Sequence, residues 1–551
     1  MKRQCIMMLL TLLLPLAASA DESGTCGDNL TWTYEESTKT LTISGEGKMQ
    51  DYYQGFSPFW LDRLGFIIEK VIIEEGVSSI GSFAFYQCYS LASVTIPNSV
   101  ASIGTGAFSG CSSLTSVTIP GSVKSIGKDD CFEIGAFEGC TGLTSVTLES
   151  GLTHLGFSQF KGCSSLSTIS IPNSVTRISY KAFQDCSSLT SVSIPDCVTA
   201  IEDYAFEGCE SLKSITIPNS VNFIGIGVFS GCSSLESIAI PNSVTDMRGA
   251  VFKGCSSLTS AILGNGLTNI GAFSFLLCSS LTSVTIPDGV LSIGDSAFEG
   301  CSSLTSLTIP NSVTTIGGGS FAGCSNLIAI TIPENVSYIG HAAFSGCNRI
   351  ASDIILENVT WIDSDAFRGC SSLSSVKLSE KLTTLGGSAF ADCTNLRSFT
   401  IPNSLTVVEG ELLSGCSNLT SLTIGSNVTI IHNFAFRNCT ALKEITSKAT
   451  TPPACYDQAF GGIDKSNCIV YVPIGCQALY QSANQWKDFK NFAEGDPTSI
   501  SQVNTADCRE AQIYDLQGRR LNVQPQHGII IKNKRKCLSL TGVDSWRASK
   551  S

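Results

Sequence analysis

The chain carries a short apolar and polar pattern that returns every 23 residues. One unit, residues 111–127, reads CSSLTSVTIPGSVKSIG. Val117 and Ile119 are two residues apart, so they share one face of a predicted strand, while the neighbouring Ser and Thr point to the opposite face. The Pro and Gly that follow Ile119 are turn residues. Residues 123–126 read as a second short extended segment.

Cysteine and phenylalanine mark the period. A phenylalanine stands three residues before fifteen of the sixteen cysteines that recur in phase, and Leu413 takes its place in the remaining repeat. The step from Cys111 to Cys140 is 29 residues instead of 23, which fits an insertion of residues 128–133 in a loop. The phased cysteines are Cys88, Cys111, Cys140, Cys163, Cys186, Cys209, Cys232, Cys255, Cys278, Cys301, Cys324, Cys347, Cys370, Cys393, Cys416 and Cys439.

A unit of this length is too short for a strand plus a long helix. We therefore expect each repeat to form one coil, with residues 107–111 making a tight helical or 3₁₀ turn that brings the chain back. The apolar residues of a single coil are buried only when neighbouring coils stack on it. At a strand spacing of about 4.8 Å, sixteen coils would extend roughly 75 Å.

The outward face of the first predicted strand is rich in hydroxyl groups. Ser occurs five residues after the cysteine in thirteen of the sixteen repeats, and Thr or Ser occurs seven residues after it in twelve. These columns contain no aromatic residue, whereas tight protein interfaces usually centre on Trp, Tyr or Arg. Two interpretations remain: a surface for weak, multivalent contacts, or hydroxyl groups that only keep a regular sheet soluble.

Two places depart from this regularity. Asp353 occupies a position where Val normally points inward, and a local register slip explains it better than a buried carboxylate, because burying a charge is costly. The second departure is an aromatic cluster in the N-terminal region. It either covers the end of the core or forms a contact patch, and it comprises Tyr52, Tyr53, Phe56, Phe59 and Trp60.

The phased cysteines are predicted to be free, buried thiols. They occupy one equivalent inward position per coil, where Cys acts as a small apolar residue. Disulfide geometry is not readily reached between stacked, parallel side chains. Any disulfide is expected among the cysteines outside the phase, which are Cys26, Cys131, Cys197, Cys455, Cys468, Cys476, Cys508 and Cys537.

The N-terminus has the three parts of a secretory signal peptide. Lys2 and Arg3 precede an apolar stretch, residues 6–16, that is too short to span a bilayer, and Ala18-Ser19-Ala20 has the form of a cleavage site. We expect cleavage after Ala20 and a secreted or cell-surface protein, with a buried N-terminal helix as the alternative. No other apolar run is long enough for a membrane span.

Charge and motifs argue against several functions. The net charge of -12 does not favour nucleic-acid binding. There is no C-x-x-C pair, no H-E-x-x-H, no G-x-S-x-G and no P-loop, so no metal site, cofactor or catalytic residues are predicted and the protein is not expected to be an enzyme. Asp129-Asp130 in the insertion could contact a cation, although a solvated loop is the simpler interpretation.

The 23-residue unit, with its Phe, Cys and Ile-Pro positions, resembles the repeats of the BspA-like bacterial surface proteins. That resemblance covers residues 70–446 and implies a mainly β, right-handed leucine-rich-repeat solenoid with short strands and 3₁₀ or helical turns, capped at both ends. Residues 21–69 resemble the N-terminal β cap of the family, and residues 30–34 and 40–44 alternate as a hairpin. Residues 447–495 resemble its closing cap, and 496–551 a linker with a small sorting module and a basic tail.

The resemblance implies adhesion: contact with extracellular or host surface proteins or with other cells. It gives no ligand-binding residues. The predicted function is therefore that of a secreted or cell-surface protein-binding adhesin. Glycan binding, by the hydroxyl face or the aromatic cluster, and a surface scaffold without a specific ligand remain as alternatives.

The phenylalanine column gives the first test. Each buried Phe should contribute about 1.5–3 kcal/mol. We expect Phe298→Ala, in the middle of the array, to lower the free energy of unfolding by roughly 3–5 kcal/mol through the cavity that it leaves. An unchanged denaturation midpoint would show that Phe298 lies outside the core.

Overall fold

Each repeat folds into one coil made of two short strands and a return segment. In this computed structural model the described residues are 22–53, 58–127 and 134–495, together with the backbone of four strands between 513 and 540. The protein is mainly β and forms a parallel β-solenoid of about 18 turns. This confirms the fold class predicted from the sequence.

The strands that follow the phased cysteines stack in parallel and form the first strand array. Their inward residues are the Val and Ile of the repeat, and the outward ones are the Ser and Thr. The strands are Lys70–Ile73, Ser93–Thr95, Ser116–Ile119, Ser145–Leu148, Thr168–Ser170, Ser191–Ser193, Ser237–Ala239, Ser260–Ile262, Ser283–Thr285, Ser306–Thr308, Ala329–Thr331, Ile354–Leu356, Val376–Leu378, Ser398–Thr400, Ser421–Ile424, Glu444–Ser447, Ile469–Val472 and Asn491–Glu494.

A second strand array follows the turn in each coil, and most of its strands are only two residues long. It confirms the second extended segment that the repeat predicts. The strands are Gly47–Lys48, Val77–Ile80, Ser102–Ile103, Ser125–Ile126, His154–Leu155, Arg177–Ile178, Ala200–Ile201, Phe223–Ile224, Asp246–Met247, Asn269–Ile270, Ser292–Ile293, Thr315–Ile316, Tyr338–Ile339, Trp361–Ile362, Thr384–Leu385, Val407–Val408, Ile430–Ile431 and Ala454–Cys455.

The return segment closes each coil with left-handed residues. The residue before the phased cysteine has a positive φ, and Gly fills most of these positions because it has no Cβ to clash there. Gly254 has φ 73°, whereas exposed Leu277 adopts φ 61° in the next coil. The Gly254 N–H donates to the carbonyl of Leu276, 2.7 Å away. Return segments of adjacent coils are therefore joined by backbone hydrogen bonds as well.

The register slip predicted at Asp353 is present. Ile354, seven residues after its cysteine, pairs with Val376, which is six residues after its own. Ile354 is buried, Ile355 points outward, and Asp353 is exposed and accepts a hydrogen bond from Ser375 Oγ at 2.5 Å. The shift removes the carboxylate from the core, as expected from the cost of burying a charge.

One junction between coils has no strand pairing in either array, within the described residues. Val376–Leu378 and Thr384–Leu385 do not pair with Ser398–Thr400 and Val407–Val408 of the following coil. There the return segments join the coils, for example through the bond from the Phe390 N–H to the Leu412 carbonyl at 3.0 Å.

The phenylalanine side chains form a continuous stack through the solenoid. Fourteen rings, from Phe85 to Phe390, lie with consecutive centroids 5.1–5.8 Å apart and ring planes within 25° of parallel. Phe298 is fully buried between Phe275 and Phe321, which confirms its predicted place in the core. Such ring pairs add about 0.5–1.5 kcal/mol beyond area burial. The stack ends where Leu413 replaces Phe.

The phased cysteines are free, buried thiols. Fifteen of them, from Cys111 to Cys439, donate the thiol hydrogen to the carbonyl at the Phe position of the preceding coil, with Sγ–O distances of 3.0–3.3 Å. Each such thiol is therefore a hydrogen-bond donor between coils and more than the small apolar residue that the sequence suggested.

The other described cysteines are free as well: Cys26, Cys197, Cys455, Cys468 and Cys476. Cys197 takes the place of the turn serine of other repeats and hydrogen-bonds to the Asn173 and Val175 carbonyls at 2.9 and 3.0 Å. The side chains of Cys131, Cys508 and Cys537 lie outside the described residues, so a disulfide among them stays untested.

The N-terminal end of the core is covered by a three-stranded antiparallel sheet, Glu22–Gly27, Leu30–Glu35 and Thr40–Gly45, and by the helix Phe59–Leu64. The first strand and the helix were not predicted. Trp60 is buried, with its ring 6.2 Å from that of Phe85, and its Nε1 donates to the Ala84 carbonyl.

The C-terminal end carries the helix Gln477–Ser482 and the 3₁₀ helix Trp486–Asp488. Trp486 packs edge-on against Phe460 at 4.8 Å. Further along, four strands form an antiparallel sheet: Ile513–Tyr514, Arg520–Leu521, His527–Lys532 and Arg535–Leu540. The stretch interpreted as a basic tail thus supplies a strand, because Arg535–Leu540 pairs with His527–Lys532.

Burial of the thiols predicts a pH-dependent stability. Burial raises the pKa of Cys324 to about 12, whereas an unfolded thiol titrates near ~8.5. The folded state thus keeps protons that the unfolded chain loses. The free energy of unfolding therefore has its full value below about pH 8.5. It falls by about 1.4 kcal/mol per pH unit for each such thiol as the pH rises toward 12.

Urea denaturation between pH 8 and about 9 tests this, since lysine and tyrosine largely keep their protons there. Cys324→Ala should reduce the slope of stability against pH by the contribution of one thiol. A midpoint that stays constant over this range, or native thiols that react at once with a maleimide, would contradict the prediction.

Candidate functional site

The outward face of the first strand array is an exposed surface of Ser and Thr, as predicted. Three apolar side chains interrupt it: Ile262, Ile328 and Ile355 are all exposed. Ile355 points outward because of the register slip. The array itself carries no exposed aromatic residue in the described strands, so its face offers hydroxyl groups and isolated apolar contacts.

Many hydroxyl groups near these strands are already used within the protein. Thr four residues after the cysteine donates to the carbonyl of the same position in the preceding coil, as Thr282 does to Thr259 at 3.0 Å. Thr thirteen residues after the cysteine does the same, as Thr383 does to Thr360 at 2.8 Å. These hydroxyl groups bind coil to coil, and they lie at other positions than the two Ser and Thr columns, five and seven residues after the cysteine, that form the exposed face.

Exposed aromatic side chains gather at the N-terminal end, beside the first strand array. We call Tyr53, Phe66, Tyr86 and Tyr89 the N-terminal aromatic patch. Phe66 is 68% exposed and stacks on Tyr89, with centroids 5.8 Å apart. Both stand where later coils carry a small polar residue such as Ser112.

A groove of about 260 Å³ lies beside this patch, lined in part by Leu61, Phe83 and Tyr86. Of the cluster noted in the sequence, Trp60 covers the core, Tyr52 packs against it, and Tyr53 is 63% exposed. Phe56 and the side chain of Phe59 lie outside the described residues. The covering interpretation therefore holds for Trp60 and Tyr52, and a contact patch at Tyr53 stays a prediction.

A second groove lies beside the second strand array, and the sequence interpretation missed it. We call it the aromatic groove; its volume is about 510 Å³. Tyr338 and Trp361 pair on adjacent strands with ring centroids 6.5 Å apart, and Trp361 is 42% exposed. Tyr338 lines the groove. The floor includes Gly318 and Gly319, where most other coils carry a side chain at one or both positions.

Carboxylates surround the aromatic groove. Asp295, Glu299 and Asp363 line it together with His341, and no Lys or Arg is among its lining residues, all of which the structure describes. Asp295 Oδ1 accepts a hydrogen bond from the Gly318 N–H at 2.7 Å, which leaves its second oxygen to other donors. Burial and the carboxylates of Asp363 and Asp295 raise the pKa of Tyr338.

The repeats match the model of the BspA type leucine rich repeat region over residues 65–187, 132–259, 248–373 and 348–467. The protein belongs to the BspA-type leucine-rich repeat family. Leucine-rich repeat proteins generally bind other proteins, members of this family are surface proteins, and such solenoids are typically non-enzymatic. The comparison with curated proteins finds no match.

Solved structures of bacterial repeat proteins are similar to this BspA-type chain. A leucine-rich repeat protein from Bacteroides ovatus is 27% identical, with 65% of this chain and 98% of that one covered and a TM-score of 0.49. One from Eubacterium ventriosum is 26% identical, with 59% and 95% covered and a TM-score of 0.43. The pneumococcal vaccine antigen PcpA is 16% identical, with 86% and 99% covered and a TM-score of 0.31.

Several predicted features of the BspA-type chain cannot be placed. The signal peptide, residues 1–20, and the insertion with Asp129-Asp130 lie outside the described residues. Among the described residues, no group of acidic, His and Cys side chains has the arrangement of a metal site, and no helix is both long and apolar enough to cross a bilayer.

The ladder of threonine hydroxyl groups can be tested by paired substitutions in one coil. We expect Thr282→Val to lower the free energy of unfolding by about 0.5–1.5 kcal/mol, because it removes a hydrogen bond between coils. Thr285→Val, on the exposed strand face, should stay within about 0.5 kcal/mol of the wild type. Equal effects of the two substitutions in urea denaturation would argue against the ladder.

Proposed function

We propose that the protein is a secreted, cell-surface adhesin that binds other proteins, including extracellular or host surface proteins. In this proposal residues 1–20 are a signal peptide removed after Ala20, and the solenoid acts by binding and not by catalysis. Membership of a surface-protein family supports the proposal, as does the long regular surface that stacked coils present. The caps at 21–69 and 447–495 and the sorting module at 496–551 belong to the same proposal.

The observation that carries it is the N-terminal aromatic patch. Phe66 and Tyr89 stack while exposed to solvent, in a chain whose repeat phenylalanines are otherwise buried. Exposed aromatic residues next to a groove are typical of binding hot spots, where truncation of one side chain costs about 2 kcal/mol or more. The hydroxyl face of the first strand array would surround this patch as a polar rim.

The proposal is tested by binding of the chain from Asp21 to an array of matrix proteins, plasma proteins and glycans. A heat-unfolded sample serves as control. Saturable binding to a protein that is lost on unfolding is the expected result. Binding only to glycans would promote the alternative of a glycan-binding protein, and no binding at all would favour a scaffold.

The patch is then tested by a double substitution. We expect Phe66→Ala with Tyr89→Ala to weaken binding of the protein found on the array by at least tenfold, because both rings would be lost from the contact. Ile262→Ala with Ile474→Ala removes two exposed apolar side chains elsewhere and should change affinity less than twofold. Equal losses in the two variants would locate the binding surface outside the patch.

A further inference from the structure

The aromatic groove differs chemically from every other surface described above. Elsewhere the first strand array presents mainly Ser and Thr. Here two aromatic rings lie beside three carboxylates, over a floor without side chains. The rings and the carboxylates come from four successive coils, because residues 295, 318, 341 and 363 are each one coil further along the chain. Trp361 lies beside the lining residue Tyr338, in the same coil as Asp363.

The rings provide a platform with electron-rich faces. Tyr338 and Trp361 are inclined by 31° and belong to adjacent strands that pair in parallel, so the backbone fixes their separation. Trp is the strongest of the aromatic residues in attracting a cation over its face, followed by Tyr.

The glycine floor gives the space that a ligand needs. Gly319 has φ 60°, and a Cβ there would lie 3.1 Å from Ser296 Oγ and 3.5 Å from a carboxylate oxygen of Glu299. Any larger residue would therefore strain the backbone and fill the region beside that carboxylate. The absence of side chains leaves the Glu299 carboxylate accessible from the groove.

The charge of the groove selects the ligand. The acidic residues that line the groove are Asp295, Glu299 and Asp363. His341 is the only basic residue among its lining residues, all of which the structure describes. Asp295 accepts a hydrogen bond from the Gly318 N–H and Asp363 accepts one from the Ser364 N–H, each with one oxygen and at 2.7 Å. These bonds orient the two carboxylates and leave the second oxygen of each as an acceptor. A cationic group would supply both the missing positive charge and several hydrogen-bond donors.

We propose that the aromatic groove binds an arginine or lysine side chain of a protein partner, with the cation between the carboxylates of Asp295, Glu299 and Asp363 and its stem on the rings of Tyr338 and Trp361. A guanidinium group fits best, because it stacks on aromatic faces and donates to carboxylates in a planar fork. This inference rests on the proposed protein-binding function and names the chemistry of the partner.

The experiment uses the intact protein and a probe of defined chemistry. Calorimetry would compare the peptide acetyl-Gly-Arg-Gly-amide with its citrulline counterpart, which has the same shape and no charge. We expect saturable binding of the arginine peptide, at least tenfold weaker binding of the citrulline peptide, and weaker binding at high salt because the groove is open to solvent.

Variants locate the probe in the groove. Trp361→Ala should weaken arginine binding at least fivefold, Trp361→Phe should restore most of it, and Asp295→Asn with Glu299→Gln should weaken it at least tenfold. Glu334→Gln removes an exposed carboxylate from the same coil as Tyr338, outside the groove, and should have no effect. Unchanged circular dichroism spectra and denaturation midpoints would show that the variants are folded.

Three results would overturn the inference. Equal affinity for the two peptides would exclude recognition of the cation, and arginine binding that persists in Trp361→Ala would place it elsewhere. Saturable binding of a neutral saccharide such as methyl glucoside, lost in Trp361→Ala, would assign the groove to glycans.

The outcome is separable from that of the proposed function. If a protein ligand from the array binds Trp361→Ala as tightly as the wild type, the adhesin proposal stands and the groove is not its cation site. If the arginine peptide binds in the groove but no protein on the array binds, the chemistry of the groove stands and the adhesin proposal fails.

Discussion

The stacking of each coil on the next at one fixed spacing is the constraint on which the rest of the structure depends. Parallel strands repeat at about 4.8 Å. The phenylalanine rings, the thiols and the threonine hydroxyl groups each contact the same position of the adjacent coil in one repeat after another. A residue type that works at one position must therefore work against a copy of itself. The 23-residue pattern in the sequence is the direct result of this requirement.

Much of the fold could be predicted because each column repeats. Val117 and Ile119 indicated a strand with one buried face, and Asp353 indicated a slip because no coil can bury a lone carboxylate. The thiol donors could not be foreseen, since their partner is a backbone carbonyl 26 residues earlier that only the stacked coils bring near. The helix Phe59–Leu64 is a single short element without a periodic signal.

The candidate sites were harder to predict than the fold. Exposure of Phe66 and Tyr89 follows from their place at the first two coils, beside the covering sheet, and the sequence alone does not show which aromatic residues that sheet covers. The aromatic groove assembles residues from four coils, and a pattern read one repeat at a time separates them. In a regular array, a side chain that differs from the residue type of its repeat position loses the contacts that this position normally makes. Such a residue therefore points to a candidate functional site.

The unpaired junction before Ser398–Thr400 has a mechanical consequence. Among the described residues from Lys70 to Cys455, every other pair of neighbouring coils has strand pairing in at least one array, whereas this junction has none and lies where the ring stack ends at Leu413. In a one-dimensional array, stability is a sum over neighbouring interfaces. Under tension or partial denaturation the two parts of the solenoid should therefore separate at this junction first. The aromatic groove would then stay intact in the longer, N-terminal part.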